Sequence, residues 1–438
     1  MNATVPALQL NVRAVRFRIM GLLVVLSFVN YLLRNNLSVA QPSIQQEFHL
    51  SHAQFGWILF GFNLAYTAFQ VPGGIYGDWL GPRKSLTIIA VAWGLLTVFT
   101  GLAPGLLAAS AGGVLWSLAA VRFLLGAANA PIFPIIAGTF ANWFPVASWA
   151  LPNAITNVGI SLAQASLGPA VTLLIIHFGW RESFYLLAPF GFAAAAWWWW
   201  YARDTPKEHR SVSAAELTLI QAGRPPPEST PVHTRFAVLV NRDVLLLAAS
   251  YFCMNCVFYI FAQWLFAYLV DEKGFSLLTG GWLYALPFIV GAIMAVAGGA
   301  TCDRLCQRIG ARWGCRIPGA AGLTLVAVFL LLGVHAANPY VAVALLSLCF
   351  GFTQFADGAY WQAATFVAGP HTAAASGVLN TGGNLPGLLA PLIGYAIDHY
   401  GWMTAFTGGA AFALAGAGLW LFVRVVKVPS KSMQGALA

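Results

Sequence analysis

The stretch RIMGLLVVLSFVNYLLRNNLSVAQ, residues 18–41, is a long apolar block that begins at Arg18 and has a second arginine, Arg34, well inside it. An α-helix rises 1.5 Å per residue, so about 20 apolar residues cross the hydrocarbon layer of a bilayer. The block is long enough to cross, and it lacks the small-residue cleavage site of a removable signal peptide. It therefore predicts a membrane-spanning helix that stays in the protein.

Similar blocks recur along nearly the whole chain of 438 residues, of which 59% are hydrophobic and 8% charged. The mean hydropathy is +0.74, which excludes a water-soluble globular domain of this length. We predict an all-α membrane protein with twelve transmembrane helices. They are expected at residues 18–41, 54–77, 84–103, 112–138, 150–175, 183–202, 244–270, 278–300, 316–334, 340–366, 373–397 and 402–426.

The positive charges are distributed unevenly about these spans. The formal net charge is +9, and 18 of the 22 Lys and Arg fall in segments that twelve spans place on one side. The positive-inside rule makes that side the cytoplasm, so we expect both termini inside. Because the basic residues are spread over five cytoplasmic segments, a nucleic-acid partner is not expected. Arg181 and Lys273 fall on the other side, while Arg34 and Arg122 fall inside spans.

One long polar stretch divides the chain. Residues 203–243 are rich in charge and contain three consecutive prolines, which is typical of a linker. We predict a six-helix bundle over residues 1–202, a cytoplasmic linker over 203–243 and a second six-helix bundle over 244–438. The bundles are expected to be pseudo-symmetric, as in a duplicated transporter.

A short loop motif recurs in both halves and supports the duplication. It follows the second span and, half a chain later, the eighth span. A gating loop would use its glycines for close helix approach and its carboxylates to accept from helix-end amides, whereas plain positive-inside charge is the alternative. The residues concerned are Gly74, Asp78, Gly81, Arg83 and Lys84, and in the second half Gly299, Asp303 and Arg304.

The two arginines inside spans indicate an anion site. A charged side chain at the bilayer centre costs about 2.5 to 3.5 kcal/mol on insertion scales, so it should face a cavity or a partner. Guanidinium donates two parallel hydrogen bonds to a carboxylate or phosphate and stays charged. Tyr31 shares a helical face with Arg34, and Asn129 lies two turns beyond Arg122. An internal ion pair or snorkelling to the interface remains the alternative.

Further polar and aromatic side chains are spaced to line the same cavity. The polar ones fall on single faces of the second, seventh and eleventh spans, where they could also form hydrogen bonds between helices. The polar candidates are Asn63, Tyr66, Gln70, Asn255, Tyr259, Gln263, Asn380 and Asn384, and the candidates for the apolar wall are Trp361, Tyr259 and Trp264.

Catalytic and metal-binding patterns are not found in the sequence. The eight histidines lie in loops or near span ends, and no metalloprotease, nucleophile-elbow or nucleotide-binding motif occurs. Cys253 and Cys256 form a CxxC inside a predicted helix and are interpreted as apolar filler. We therefore expect no enzyme activity, no cofactor and no metal. A receptor built on a transporter scaffold, with binding but no flux, is the alternative from another class.

The loop after the second span resembles the major facilitator superfamily pattern Gly-x-x-x-Asp-Arg-x-Gly-x-Arg-Lys, although Trp79 replaces the family's arginine. The chain is also similar to the anion:cation symporter group, which includes carriers of hexonates, hexuronates and organic anions. The supporting stretches are Asn30–Ser38, Gln70–Gly74, Trp143–Pro145, Thr205–His209 and Ser376–Asn384.

This resemblance implies alternating access between two bundles, with a sugar acid or other carboxylate as substrate. It implies that Arg34, Tyr66 and Arg122 hold the substrate and that Asn380 lies near another contact. Proton-coupled members carry Asp before the first arginine and often Glu seven residues after the second, but this chain has Leu33 and Asn129 there.

Coupling is therefore left open by the sequence. Asp357 is the one acid well inside a predicted span, the tenth, so it is the candidate for a coupling proton, for a substrate contact, or for pairing with an arginine. An uncoupled facilitator or an anion exchanger, including an organophosphate:phosphate antiporter, is the alternative within transport. We expect a monomer in a bacterial inner membrane, with a small anion and H⁺ as the partners to test.

Overall fold

The computed structural model describes residues 15–106, 110–145, 150–221, 240–369 and 372–425. The described chain is helical, and its α-helices are numbered here in chain order. They are α1 Val15–Phe48, α2 His52–Leu80, α3 Pro82–Leu106, α4 Ala111–Asn129, α5 Ile132–Trp143, α6 Ala150–Phe178, α7 Trp180–Tyr201, α8 Ala214–Gln221, α9 Arg242–Ala267, α10 Leu277–His335, α11 Pro339–Ala368, α12 Thr372–Asn384 and α13 Ala390–Trp420.

Twelve spans fit these helices. Eight helical runs among the described residues are long and apolar enough to cross a membrane. Helix α10 turns at Gly310 (φ 83°) and α13 at Gly401 (φ 78°), so two of those runs supply two spans each. Helices α2 and α7 supply the remaining two. Only glycine adopts such a positive φ without strain, which explains why each long helix reverses at that residue.

Two predicted spans are broken where the sequence suggested continuous helices. The fourth is divided between α4 and α5 at Ala130 and Pro131. The eleventh is interrupted by a 3₁₀ turn over Leu385–Leu389, which contains Pro386. Proline lacks the amide that the helix ladder needs, so a break near each proline follows from its chemistry. Both breaks lie beside helices that line the central cavity.

The first-half and second-half helices meet at one end of the molecule, called here the His52 end, where α1 finishes and α2 begins. Helix α2 packs on α13, α6 on α10, and α1 on α9. A Cβ on Gly168 would lie 2.3 Å from the Gly281 carbonyl oxygen, and one on Gly56 would lie 2.6 Å from that of Ala390. These glycines let backbones of the two halves approach closely, as small residues do between membrane helices.

The opposite end of the molecule, called here the linker end, carries the loop between α2 and α3 and the segment after α7. Within the predicted linker, the described residues form a 3₁₀ turn at Pro206–Glu208 and helix α8. The backbone amide of Arg16 donates to Glu216 at 3.1 Å, which joins α8 to the start of α1. The predicted linker's proline run at residues 225–227 lies outside the described residues.

Candidate functional site

Arg34 projects from α1 into a cluster of three aromatic rings. Its guanidinium carbon lies 4.7 Å from the ring centre of Tyr66, 4.8 Å from Phe62 and 5.4 Å from Tyr31. Phe62 and Tyr66 stack with centroids 5.9 Å apart, so they form a continuous floor. Each desolvated contact of this kind contributes up to about 2 kcal/mol, which offsets part of the cost of a charge in the membrane.

Arg122 lies on α4 and is only 2% exposed. Its Nη1 donates to the Arg34 carbonyl oxygen at 2.9 Å, and its Nη2 to Asn36 Oδ1 at 3.3 Å. Both acceptors are neutral, so the hydrogen bonds position the guanidinium without cancelling its charge. Within the described chain, neither Arg34 nor Arg122 forms an ion pair.

A narrow cavity joins the two arginines to the second half of the chain. Helices α1, α2 and α4 form one wall and α9 forms the other. No acidic residue is found among its lining side chains, so the cavity is electropositive. The residues that line the cavity are Tyr31, Arg34, Asn35, Leu37, Ser38, Leu59, Phe62, Asn63, Arg122, Phe258, Tyr259, Ala262 and Gln263.

Several polar atoms of this lining have no hydrogen-bond partner in the described structure. They include Nε of Arg122, Oδ1 of Asn63 and Oε1 of Gln263, all buried. An unsatisfied buried polar group costs about 1 to 3 kcal/mol. A ligand with a negative group and hydroxyls could satisfy both the donor and the acceptors, so the lining suits a hydroxylated anion chemically.

Two of the other predicted substrate residues, Tyr31 and Tyr259, line the cavity, whereas the rest lie around it. Tyr259 lines it and donates from its hydroxyl to Asn384 Oδ1 at 3.3 Å, and the Asn384 amide donates to the Asn380 carbonyl oxygen at 2.9 Å. Asn129 accepts a hydrogen bond from Asn30 and donates to Leu125 O. Gln70 is buried, with its Nε2 unpaired. Tyr259 is thus the link from the cavity to α12.

Asp357 lies on α11 in a cluster of its own. Its Oδ1 accepts from the Tyr251 hydroxyl at 3.0 Å, and its Oδ2 from Trp361 Nε1 at 3.1 Å. Neither Arg34 nor Arg122 is a hydrogen-bond partner of Asp357. Trp361 was predicted as part of the cavity wall, but here it donates to this carboxylate instead of lining the cavity. Asp357 and the arginines therefore form two separate charged centres.

The predicted gating loop after α2 is held by an acid from another segment. Gly81 has φ 79°, and Asp204 Oδ1 accepts from the Arg83 amide at 2.8 Å. The Arg83 guanidinium lies 4.2 Å from the Trp199 ring centre and donates to its carbonyl oxygen at 2.8 Å. Gly74 faces Pro134, while Asp78 and Lys84 are exposed.

The corresponding loop of the second half has different contacts. Asp303 accepts from Gln362 Nε2 at 2.8 Å, which joins α10 to α11, and Arg304 is exposed. The two halves therefore repeat the motif in sequence while holding it through different partners.

Polar contacts also join the two halves at the His52 end. His52 Nδ1 lies 2.8 Å from Asp398 Oδ1, and its Nε2 lies 3.6 Å from Asp271 Oδ2. The amides of His52 and Ala53 donate to the Asp398 carboxylate at 3.0 and 2.8 Å. Closer to the cavity, Asn63 Nδ2 donates to the Gly387 carbonyl oxygen at 2.8 Å.

Three residues with direct roles in these contacts were not predicted from the sequence. Asn36 holds Arg122, Tyr251 holds Asp357, and Asp204 holds the loop after α2. A signal existed for Tyr251, because it shares a helical face with Asn255 and Tyr259 at a spacing of four. No local signal marks Asp204, whose partner is 121 positions away.

Taken together, a helical fold that fits twelve spans and a central electropositive cavity define a membrane transporter. The family model described as Major Facilitator Superfamily matches residues 23–391. The chain belongs to the major facilitator superfamily, and its predicted all-α fold is confirmed. Its relatives in this family are transporters, so the prediction that the chain is not an enzyme is confirmed as well.

Relatives similar to this chain carry named anions. A probable sulfoacetate transporter, SauU, of Cupriavidus necator is 30% identical, with 88% of each chain covered. A hexuronate transporter of Bacillus subtilis is 29% identical, with 91% of each covered. A probable galactarate/D-glucarate transporter, GudP, of the same organism is 29% identical, covering 92% of this chain and 90% of the relative.

Solved structures agree on the fold. A bacterial homologue of the human lysosomal transporter Spinster, in an inward-facing and occupied conformation, superposes with a TM-score of 0.73. The two sequences are 16% identical, and the alignment covers 93% of this chain and 96% of the other.

Proposed function

We propose that this protein moves a small organic anion, a sugar acid or another carboxylate, across a bacterial inner membrane by alternating access. The observation that carries the proposal is the pair Arg34 and Arg122 at one cavity, without an acid in the lining. Relatives named as carriers of hexuronate, galactarate or sulfoacetate support the same class of substrate. In this proposal Arg34 and Arg122 bind the charged group.

The neutral side chains of the lining would recognise the uncharged, hydroxylated part of the substrate. Asn63, Tyr259 and Gln263 offer amide and hydroxyl groups on the wall opposite or beside the arginines. Tyr66 supports Arg34 from beneath, and Asn380 and Asn384 act through Tyr259. A polyhydroxylated chain with one carboxylate fits this division between charged and neutral contacts. The bundles at residues 1–202 and 244–438 would rock about the substrate, with both termini in the cytoplasm.

The test is uptake of labelled sugar acids, dicarboxylates, sulfonates and sugar phosphates into proteoliposomes, with and without an imposed inward proton gradient. Uptake of a sugar acid that is lost in Arg34→Ala supports the proposal. Uptake of sugar phosphates alone, and only against internal phosphate, would instead establish the organophosphate antiporter. Saturable binding without flux would make the protein a receptor.

Asp357 is the candidate for proton coupling in this proposal, because the positions of the usual coupling acids hold Leu33 and Asn129. Its carboxylate accepts two hydrogen bonds, and Asn can replace it at nearly the same size. If Asp357 carries the proton, we expect Asp357→Asn to abolish gradient-driven accumulation while exchange of labelled for unlabelled substrate persists. Unchanged accumulation in Asp357→Asn would exclude this role and favour a facilitator or an exchanger.

A further inference from the structure

Three cysteines converge at the linker end, where α10 reverses direction at Gly310. Cys302 and Cys306 lie one helical turn apart before the reversal, and Cys315 lies after it. The Sγ atoms of Cys306 and Cys315 are 3.6 Å apart, and those of Cys302 and Cys315 are 4.0 Å apart. All three Sγ atoms lie within 4.8 Å of one another.

These spacings match the edges of a metal coordination polyhedron. A tetrahedral Zn²⁺ site has Zn–S bonds of about 2.3 Å, which places neighbouring sulfurs about 3.8 Å apart. The three thiols thus meet at one point between the two arms of α10. Gly314 permits the meeting, because a Cβ there would lie 2.5 Å from Cys306 Sγ.

An oxygen that could serve as a fourth ligand lies on the neighbouring helix. The Oε1 atom of Gln362 on α11 lies 2.7 Å from Cys302 Sγ and 3.7 Å from Cys306 Sγ. Its Nε2 donates to Asp303 at 2.8 Å, and this hydrogen bond fixes which end of the amide faces the cysteines. Such a second contact commonly orients a metal ligand.

Charge and access also fit a metal. Three thiolates with one divalent ion leave a net charge of −1, and the exposed Arg304, Arg308 and Arg312 lie in the same segment. Cys302 and Cys315 are buried whereas Cys306 is partly exposed, so an ion could enter past Cys306.

We propose that Cys302, Cys306 and Cys315, with Gln362 as the fourth ligand, form a binding site for Zn²⁺ or a similar thiophilic ion. No metal was expected from the sequence, and the CxxC formed by Cys253 and Cys256 is not part of this cluster. The ion would join both arms of α10 to α11 at the linker end, and the site is independent of the transported substrate.

The experiment uses the full-length protein purified in detergent. Metal content is measured by elemental mass spectrometry, Co²⁺ binding by the thiolate charge-transfer absorption, and Zn²⁺ affinity by competition with a chromophoric chelator. We expect one ion per chain. Cys306→Ser should lower the Zn²⁺ affinity by about 100-fold or more, because losing a group that only orients a ligand already costs about 10- to 100-fold.

Cys253→Ser and Cys256→Ser are the matched controls, since they remove buried thiols from α9 and should leave the affinity unchanged. If Cys315→Ser fails to fold, the partly exposed Cys306 and Gln362→Ala still test the site. Metal at background levels in the wild-type protein, or equal losses in the α9 variants, would overturn the proposal. A Cys306–Cys315 disulfide trapped in protein taken directly from cells would overturn it too.

Discussion

Arg34 and Arg122 are held in the membrane by two different sets of contacts. Arg34 lies against three aromatic rings, which attract a cation without supplying a negative charge. Arg122 is bound by a carbonyl oxygen and an amide oxygen. Both guanidinium groups thus keep their full charge for a substrate. A carboxylate that binds them replaces no internal ion pair, so its binding free energy is not reduced by breaking one.

The Lys variants separate charge from geometry. Arg34→Lys keeps the positive charge but loses the planar fork and its stacking on Phe62 and Tyr66. We expect an affinity loss of about 10- to 150-fold, which corresponds to about 1.5 to 3 kcal/mol for a charge-assisted hydrogen bond. Equilibrium binding of a labelled sugar acid measures it. The control is Arg181→Lys, because Arg181 pairs with Glu47 and does not line the cavity. This variant should bind the sugar acid normally. Unchanged affinity in Arg34→Lys would contradict the assigned role.

At the residue scale, Arg34 and Arg122 were easier to predict from the sequence than the residues that contact them. Arg34 and Arg122 could be found because a charge within an apolar span is costly wherever the helix packs. Asn36 could not be found in this way, because an asparagine near an arginine in the sequence does not indicate a contact. Only the fold shows that Asn36 accepts a hydrogen bond from Arg122. The cysteine cluster was missed for a similar reason, since Cys315 joins Cys302 only after Gly310 reverses the chain.

At the scale of single elements, the turn between α2 and α3 depends on one glycine. Gly81 has a positive φ of 79°, and a Cβ there would lie 2.6 Å from Asp204 Oδ1. We expect Gly81→Ala to lower the stability of the protein by about 1 to 3 kcal/mol. Thermal unfolding in detergent should show a lower midpoint. Gly105→Ala, where a Cβ meets nothing within 4 Å, is the control, and equal midpoints for the two variants would contradict the expectation.

His52 begins α2 ahead of the predicted span 54–77 and bridges two acids of the second half. Burial opposes its charged form, but the hydrogen bond to Asp398 and the nearby Asp271 carboxylate outweigh burial and raise the pKa of His52. The charged ring therefore stabilises closure of the His52 end. This stabilisation is complete below the ordinary pKa of about 6.5 and is lost as pH rises through the raised value.

We expect the His52 end to open more often as pH rises. Ala262, which lines the cavity, can be changed to Cys in a background with the native cysteines replaced, and labelled from outside with an impermeant thiol reagent. Because the thiolate is the reacting form, every labelling rate rises with pH, and the informative quantity is the rate divided by that of the His52→Gln protein at the same pH. This ratio should be below one at low pH and should rise toward one with rising pH. His177→Gln, an exposed histidine at the same end, should retain the pH response. A ratio that falls with rising pH would refute this mechanism.

The presence of the helices was predictable from the apolar runs of the sequence. The positions at which two of them break were not fully predictable. The breaks at Pro131 and at Leu385–Leu389 occur beside prolines, yet Pro72, Pro189 and Pro287 lie within continuous helices. Proline removes one amide donor in every case. Whether the helix then breaks depends on neighbouring helices that satisfy the freed carbonyls, and those neighbours are known only from the fold.

At the scale of the whole molecule, contacts between the two halves gather at the His52 end. The glycine approaches of α6 on α10 and α2 on α13 lie there, together with the polar bridges of His52 and Asn63. The sequence predicted the duplication through its repeated loops, but not this interface. Some of its contacts join residues more than 300 positions apart, such as His52 and Asp398.

The uncompensated arginine pair also has an electrical consequence. An empty site carries about two positive charges, whereas a site filled by a dianion is neutral, so a membrane voltage acts mainly on the empty carrier. A charge that crosses the whole field gains or loses about 2.3 kcal/mol per 100 mV. With potassium and valinomycin setting the voltage, net uptake of a dianionic sugar acid should slow at inside-negative potentials, while one-for-one exchange should not change. The protein would then accumulate its substrate least efficiently in a strongly energised cell, unless a second ion returns with the empty site.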